Sequence, residues 1–274
     1  MLPRSYLFVP GHRADRFDKA LAAGADAVVL DLEDAVAPQD KTAAREAVAR
    51  YLAAADEATR QRLVLRINDE HTPWFDDDLA LLAATQAPSV MLPKAEAVAT
   101  LARVRGACPS AGVLALIESA RGVLNAEALA AADGVVRLVF GTLDFALDLD
   151  LVDDPAAGPL GLDAAASRLA WASRAAGLPP PVAGVTADIH DPALLRADVA
   201  RARAHGFGAK LCIHPKQVAW VHEALRPTEA ELEWAQRVLE AAASAPGAVQ
   251  LDGRMVDRPV VERARRLLQR AGPR

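Results

Sequence analysis

Short runs of Val, Leu and Ile recur along the chain, and each run ends in polar or charged residues. Runs of this length are typical of strands that are buried on both faces of a parallel sheet. The runs are SYLFVP (5–10), AVVLDLED (27–34), RLVLRIN (62–68), SVMLPK (89–94), VLALIES (113–119), RLVFGTLD (137–144), PVAGVTAD (181–188) and AKLCIHP (209–215). They predict eight strands of one sheet.

Segments with helical composition separate the runs, and the first ends at Gly24, a predicted C-cap. The helical segments are residues 13–24, 39–54, 74–86, 95–107, 120–132, 162–176 and 192–205. Strands that alternate with helices predict an α/β fold with a parallel sheet. Eight such units within residues 1–225 predict a (β/α)8 TIM barrel as the catalytic domain, with a doubly wound open sheet as the alternative.

Residues 226–274 follow a different pattern. Thr228 and Glu231 have the spacing of a capping box at the start of a helix. The segment AVQLDGRMVD then places an Asp-Gly turn between two short apolar stretches, which predicts a hairpin. A last helix is predicted from about Asp257. We interpret this part as a C-terminal extension of helices and a hairpin, and not as a second domain.

Composition narrows the class of protein. The chain has 274 residues, of which 52% are hydrophobic, and a net charge of −5 spread along its length, so a nucleic-acid partner is not expected. No apolar run approaches the roughly 18 residues of a membrane helix, and the N-terminus lacks a signal-peptide pattern. Cys108 and Cys212 have no ligand spacing, which predicts core residues of a reduced, cytoplasmic protein.

Residues with useful chemistry cluster where the apolar runs end. They are Asp31, Glu33, Asp34, Arg66, Asn68, Lys94, Glu118, Asp144, Asp188 and His214. In a (β/α)8 barrel the carboxyl ends of the strands form one face, and active sites lie on that face. The pattern therefore predicts that distant stretches converge on one pocket, and it favours an enzyme.

Glu118 and Asp144 end consecutive runs, so their carboxylates are predicted to be neighbours. Adjacent carboxylates repel unless a proton or a cation lies between them, and Mg²⁺ binds one or two carboxylates together with waters and substrate. A metal site is one interpretation. The alternatives are an ion pair between Glu118 and Arg66 or Lys94, and a capping role for Asp144.

Arg66 lies between Leu65 and Ile67 in an apolar run. An arginine in this position is usually paired with a carboxylate or binds an anionic ligand. We favour a clamp on a substrate carboxylate or oxyanion over a buried ion pair with Glu33 or Glu118. Lys94 is a Schiff-base candidate, but neighbouring acids would raise its pKa, so an ion pair is the preferred interpretation.

The motifs RSYLFVPG, AVVLDLEDAV, LVLRIN, MLPK, LIESARGV, FGTLDFALDL and IHPKQV occur in this order, and with the tail they cover almost the whole chain, from about residue 4 to residue 260. Together with the tail they resemble the HpcH/HpaI aldolase superfamily, in its citrate lyase β-subunit-like (CitE-like) branch. That branch includes malyl-CoA and citramalyl-CoA lyases. The resemblance implies a Mg²⁺-dependent lyase that converts a 3-hydroxyacyl thioester into a 2-oxo acid and an acyl-CoA, or catalyses the reverse reaction.

The resemblance also assigns roles to residues. It implies that Glu118 and Asp144 are the metal ligands and that Arg66 holds the substrate near the metal. The substrate carboxylate would meet backbone N–H groups near Leu143 and Asp144. Glu33 and Asp34 are then expected to contact the metal's water shell, together with Lys94 at the barrel mouth, while the deeper Asp31 is expected to be structural.

The stretch GRMVDRP resembles the C-terminal lid of the CoA-lyase members. This implies that Asp257 reaches the site of a neighbouring subunit and exchanges a proton with the thioester α-carbon. From the pattern alone, Asp257 caps the last helix, with Pro259 in its first turn. The lid implies a homo-oligomer, a trimer or a hexamer.

Three other functions remain open at this point. The chain is alternatively a β subunit that acts on a citryl group bound to an acyl carrier protein within a citrate lyase complex. It is alternatively a malyl-CoA thioesterase. The non-enzyme alternative is an idle barrel that serves in complex formation, which the intact set of Arg66, Glu118, Asp144 and Asp257 disfavours.

Overall fold

A closed barrel of parallel strands forms the main unit, and it confirms the predicted (β/α)8 architecture. The computed structural model describes residues 2–152, 158–244 and 249–271. The barrel strands are β1 (Ser5–Pro10), β2 (Ala27–Asp31), β3 (Leu63–Arg66), β4 (Ser89–Leu92), β5 (Gly112–Ile117), β6 (Val135–Phe140), β7 (Val182–Ala183) and β8 (Ala209–Cys212). The open-sheet alternative is wrong, because β1 also pairs with β8, with Tyr6 opposite Leu211.

Helices follow the strands and surround the barrel. They are α1 (Phe17–Ala22), α2 (Lys41–Ala54), α3 (Glu57–Arg60), α4 (Phe75–Thr85), α5 (Val98–Ala107), α6 (Ala120–Leu124), α7 (Ala126–Ala130), α8 (Thr142–Asp148), α9 (Leu160–Ala175), α10 (Pro192–Ala204) and α11 (Pro215–Leu225). Two 3₁₀ turns, Ala14–Arg16 and Pro38–Asp40, precede α1 and α2. Gly24 has φ +81°, as a C-cap glycine requires.

The helix predicted over residues 120–132 is wrong as a single element. It is divided into α6 and α7 at Asn125, which has φ −93° and ψ 4°, outside the helical region. The side-chain amide of Asn125 donates to the main-chain oxygen of Glu96 at 2.8 Å. This bond ties the junction to the loop after β4, a tertiary contact that the local sequence does not reveal.

Side-chain alternation along the strands carries the polar residues into the barrel mouth. Ala27 and Val29 of β2 belong to the apolar cluster inside the barrel, and two residues further on the same alternation reaches Asp31. Likewise Val64 is followed by Arg66. Leu114 and Leu116 of β5 lead to Glu118, directly after the strand. The interior of the barrel is thus apolar along the strands and charged at their carboxyl ends.

A second compact unit comprises Leu225–Arg274, and the first comprises Met1–Ala224. Its described part contains α12 (Glu229–Ser244), the antiparallel strands β9 (Val249–Leu251) and β10 (Arg254–Val256), and α13 (Arg258–Ala271). Its core contains Ala235, Val238, Val256, Ala264 and Leu267. The predicted capping box is present, since Thr228 N donates to Glu231 Oε2 at 2.7 Å and Glu231 N donates to Thr228 Oγ1 at 3.2 Å.

Cys108 and Cys212 are buried and free of disulfides, as the sequence predicts. Among the described helices, none combines the length and the apolar character needed to cross a membrane.

Candidate active site

A cavity of about 370 Å³ opens at the carboxyl ends of the barrel strands. Its apolar wall includes Phe8, Leu116, Val185 and Leu211. Its polar lining includes Asp31, Asp34, Arg66, Glu118, Thr142 and Asp144. Residues that are far apart in the sequence therefore converge on one face, as the positions of the run ends predict.

Glu118 is a buried carboxylate of this cavity, with 5% of its surface exposed. Its Oε1 accepts a hydrogen bond from the backbone N–H of Lys94 at 2.7 Å. Its Oε2 lies on the side of Gly141, where a Cβ atom would approach it to 2.5 Å, so only glycine leaves room there. Burial raises the pKa of Glu118 to about 7, and the nearby Asp144 adds to this rise, while the bond from Lys94 opposes it.

Asp144 lies in the first turn of α8 and is exposed to the cavity. Leu143 precedes it and is 57% exposed. The first amides of a helix have no acceptor within the helix. The N–H groups of Leu143 and Asp144 are therefore available to an acceptor that enters the mouth.

Arg66 is held by the acids of the β2 end. Its Nε and Nη2 donate to the two carboxylate oxygens of Asp31, both at 2.7 Å, and its guanidinium lies 4.7 Å from the ring centre of Phe8. The sequence left Glu33 or Glu118 as an ion-pair partner, and Glu33 lies within ion-pair distance of Arg66. Burial lowers the pKa of Arg66, but the carboxylates of Asp31 and Glu33 outweigh this effect and raise it above its usual value. Arg66 therefore remains a cation at the cavity wall.

Glu33 lies beside Arg66, with its Oε2 2.8 Å from Nη1, and Asp34 lies 3.5 Å from the same nitrogen. Within the described structure, Oε2 of Glu33 is buried and accepts no hydrogen bond of acceptable geometry. Burial raises the pKa of Glu33 to about 8, although Arg66 opposes the rise. A buried carboxyl oxygen without a hydrogen bond is able to accept from a water or ligand next to it.

Lys94 does not pair with the acids of the β2 end. Its Nζ lies 3.4 Å from Asp69, a residue that the sequence reasoning missed because it lies beyond the apolar run. Asn68, Asp188 and His214 do not line the cavity. The side-chain amide of Asn68 donates to Asp78. Asp188 accepts from the backbone N–H of His190, and the ring of His214 accepts from the backbone N–H of Lys216. These three side chains stabilise the turns after their strands.

Asp257 lies in the second unit, immediately before α13, and its side chain is exposed. Its Oδ1 accepts from the backbone N–H of Val260 at 3.2 Å. The helix-capping interpretation from the sequence is therefore present in the structure. The catalytic role of Asp257 stays a prediction.

The donors at the mouth fit Mg²⁺. No three Asp, Glu, His or Cys side chains among the described residues are close enough to hold a metal by themselves. Mg²⁺ does not require such a cage, because it usually keeps several waters and binds one or two carboxylates together with its substrate. Glu118 and Asp144 supply two hard oxygen donors whose mutual repulsion a cation would relieve.

A larger cavity of about 540 Å³ is lined by residues of β7, α9 and α10. Its acids are already engaged, since Asp163 accepts from Arg201 at 2.8 Å and Asp198 accepts from Thr186 at 2.5 Å. Its buried Lys210 donates to the main-chain oxygen of Gly184 at 2.7 Å. The barrel mouth is therefore the better candidate for the active site.

The fold and the mouth together define a TIM-barrel protein with paired acids at its carboxyl face. Residues 4–215 match the model of the HpcH/HpaI aldolase/citrate lyase family, and residues 169–272 match that of a C–C bond lyase of the TIM-barrel fold. The chain belongs to the HpcH/HpaI aldolase/citrate lyase family.

Similar proteins carry two kinds of name. A citrate lyase subunit beta-like protein of Deinococcus radiodurans is 40% identical over 97% of this chain and 96% of its own length. A (3S)-malyl-CoA thioesterase of Cereibacter sphaeroides is 35% identical over 98% of this chain and 94% of its own length. The structure of protein CitE from Mycobacterium tuberculosis in complex with magnesium, acetoacetate and coenzyme A has a TM-score of 0.89, with 39% identity over 99% of this chain and 98% of that one.

Proposed function

We propose that the chain is a Mg²⁺-dependent carbon–carbon lyase for a 3-hydroxyacyl-CoA thioester of the malyl-, citramalyl- or citryl-CoA type. The products are a 2-oxo acid and an acyl-CoA, and the reverse reaction is a Claisen-type condensation. The observation that carries the proposal is the position of Glu118 and Asp144. Glu118 follows β5, Asp144 follows the neighbouring strand β6, and both line one cavity with Arg66. The similar CitE structure was obtained with magnesium, acetoacetate and coenzyme A.

The carboxylates of Glu118 and Asp144 would hold the metal. Bound Mg²⁺ would supply a Lewis acid that lowers the pKa of the substrate's hydroxyl group. The backbone N–H groups of Leu143 and Asp144 would bind the substrate carboxylate. Glu33 and Asp34 would accept hydrogen bonds from water next to the ligands, and Lys94 would keep Asp69 in place at the rim.

Cleavage requires three events that protein side chains assist. The substrate hydroxyl passes its proton to a water molecule, and the bond between the carbinol carbon and the thioester α-carbon breaks as the carbinol oxygen forms the carbonyl group of the 2-oxo acid. The electron pair of the broken bond forms the thioester enolate. Arg66 stabilises negative charge on the reacting oxygen. Asp257 of a neighbouring subunit then donates a proton to the α-carbon and releases the acyl-CoA.

This role for Asp257 makes the active form a homo-oligomer, for which we propose a trimer. Light scattering measures the mass. A mixture of the inactive variants Glu118→Gln and Asp257→Asn tests the sharing of sites, because mixed oligomers contain some sites with both native residues. Recovered activity supports the proposal, whereas a fully active monomer contradicts it.

A second candidate is hydrolysis of the malyl-CoA thioester, which is favoured by the name of the Cereibacter relative. A third is cleavage of a citryl group on an acyl carrier protein, in keeping with relatives named as citrate lyase subunits. Turnover of free acyl-CoA by the isolated chain excludes a strict need for the carrier. Release of free coenzyme A without an oxo acid identifies the thioesterase.

A mass-spectrometric screen tests the reaction directly. Glyoxylate, pyruvate and oxaloacetate are each incubated with acetyl-CoA or propionyl-CoA, with Mg²⁺ or with a chelator. A Mg²⁺-dependent condensation product supports the lyase. If no product forms and the protein binds neither metal nor oxo acid, the barrel is catalytically idle and serves only in complex formation.

A further inference from the structure

Lys41 is buried at the start of α2, with 5% of its surface exposed, and it does not line the cavity. Its Nζ donates three hydrogen bonds: to the main-chain oxygens of Leu32 and Glu33, at 2.6 and 2.8 Å, and to Oδ1 of Asn68, at 2.6 Å. An ammonium group has three donors, so all of them are used. The three acceptors are neutral, which makes this lysine a tie between segments and not a member of an ion pair.

Lys41 joins the segment that carries Asp31, Glu33 and Asp34 to the segment that carries Arg66. Leu32 and Glu33 follow β2, and Asn68 lies two residues after Arg66 in β3. Asn68 is itself fixed, because its backbone N–H and its side-chain amide both donate to Oδ2 of Asp78, at 2.8 and 2.6 Å. The β2 loop is therefore anchored to α4 through Lys41 and Asn68.

Glu33 depends on this anchor. Its Oε2 accepts no hydrogen bond of good geometry in the described structure and is held by the charge of Arg66, 2.8 Å away, so the main chain of Glu33 has to keep the carboxylate in place. The main-chain oxygen accepts from Lys41 and from Val36 N at 3.0 Å, and the N–H donates to Asp31 at 2.9 Å. Loss of the lysine removes the contact that links the main-chain oxygen of Glu33 to Asn68, beyond the end of β3.

We propose that Lys41 is a positioning residue: it holds the loop after β2 so that Glu33 stays beside Arg66, and thereby supports metal binding at Glu118 and Asp144. The inference rests on the proposed function, since it assumes that the mouth binds a divalent cation. It predicts that a side chain outside the cavity controls metal affinity through the geometry of Glu33.

The test uses Lys41→Met, in which a side chain of similar length donates no hydrogen bond, and Lys41→Gln as the milder variant if the first does not fold. The matched control is Arg60→Met. Arg60, at the end of α3, also donates to three main-chain oxygens, those of Leu52, Thr85 and Gln86. It links α2 to α4 before β3 begins, whereas Lys41 acts beyond the end of β3. It lies outside the mouth.

Calorimetric titration of the full-length protein with Mn²⁺ measures metal affinity, with melting temperature as the measure of stability. We expect Lys41→Met to weaken Mn²⁺ binding about 10- to 100-fold, as is usual when support around a metal site is lost. Arg60→Met should lower the melting temperature but leave the affinity unchanged. In a Glu33→Gln background, Lys41→Met should weaken binding less than about two-fold further, because both changes act through one side chain.

Three results overturn the inference. The affinity of Lys41→Met equals that of the unaltered protein, or Arg60→Met weakens binding as much, or the Lys41→Met effect persists in full in the Glu33→Gln background. In each of these cases the proposed function still stands, since the unaltered protein binds metal. An unaltered protein that does not bind Mn²⁺ overturns both.

Discussion

Arg66 and Asp31 form a bidentate ion pair at the end of two adjacent strands, with Nε and Nη2 each 2.7 Å from a carboxylate oxygen. Asp31 also accepts hydrogen bonds from the backbone N–H groups of Glu33 and Ala35, so each of its two carboxylate oxygens accepts two hydrogen bonds. The pair therefore fixes the guanidinium and leaves its Nη1 directed toward Glu33. Asp31, which the sequence predicts to be structural, thus supports the guanidinium that we propose as the substrate clamp.

Removing the cation from this pair should destabilise the protein. We expect Arg66→Met to lower the free energy of unfolding by about 3–5 kcal/mol, because Asp31 would remain buried and unpaired. Arg66→Lys should cost less stability but still reduce kcat, since an ammonium group cannot reproduce the planar fork. Urea denaturation and steady-state kinetics measure the two effects. Arg66→Lys with unchanged kcat would contradict the clamp.

The proposed metal ligands, Glu118 and Asp144, are tested separately. Glu118→Gln and Asp144→Asn should each abolish measurable Mg²⁺ binding and turnover, since a neutral amide is a poorer ligand than a carboxylate and relieves no repulsion. Titration calorimetry with Mg²⁺ measures the affinity. Glu127→Gln, at an exposed position of α7, is the control and should bind as the unaltered protein does. Equal binding by Glu118→Gln would refute the assignment.

Glu33 should matter less than the ligands. We expect Glu33→Gln to weaken Mg²⁺ binding by about 10- to 100-fold without abolishing it, because Glu33 acts on water and on Arg66 and not on the metal itself. The ratio of the affinities of Glu33→Gln and Glu118→Gln, measured in one titration series, distinguishes the two roles. An equal loss in both variants would make Glu33 a ligand.

Stability should depend on pH through the two buried acids. Burial raises the pKa of Glu33 to about 8 and that of Glu118 to about 7, from an ordinary value of 4.5. Between the ordinary value of 4.5 and these raised values, the folded protein binds more protons than the unfolded chain. The free energy of unfolding therefore falls as pH rises. The contribution is complete below about pH 4.5 and is lost as pH rises through 7 to 8.

We therefore expect the melting temperature of the metal-free protein to fall between pH 5 and pH 8 (roughly the window of these pKa values). Glu33→Gln and Glu118→Gln should each flatten the profile, because a glutamine has no proton to lose. Glu127→Gln should leave its slope unchanged. A slope that is the same in all three variants would assign the pH dependence to other groups.

Much of this architecture follows from local pattern. The apolar runs predict the barrel because a strand that is buried on both faces needs a continuous apolar sequence, and the same runs place Glu118 and Arg66 at its mouth. Local pattern also predicts the capping box of Thr228, which depends on residues three positions apart. These features need no information about distant contacts.

The partners of the polar residues could not be predicted in the same way. Arg66 lies beside Glu33, one of the two partners that the sequence left open, but its bidentate partner is Asp31, and Lys94 pairs with Asp69. These choices depend on strand register and side-chain direction. Lys41 appears in the sequence as one helix residue among many. Its burial depends on a tertiary contact, between Nζ and the main-chain oxygen of Leu32 in the loop after β2, which the local sequence does not reveal.

Asp257 has two roles to separate, the cap of α13 and the proposed proton donor, and one substitution does so. Asparagine is about as good an N-cap as aspartate, so Asp257→Asn should keep the melting temperature of the protein. It has no acidic proton, so turnover should fall by about 10²- to 10⁴-fold. Binding of the 2-oxo acid should be unaffected.

Exchange with heavy water gives the decisive measurement. The unaltered enzyme, supplied with acyl-CoA and a 2-oxo acid, should incorporate deuterium at the thioester α-carbon, and Asp257→Asn should not. Asp257→Ser keeps a capping oxygen and serves as the second variant, with the same expected loss. If Asp257→Asn exchanges at the native rate, Asp257 is only a helix cap, and the proton comes from another group.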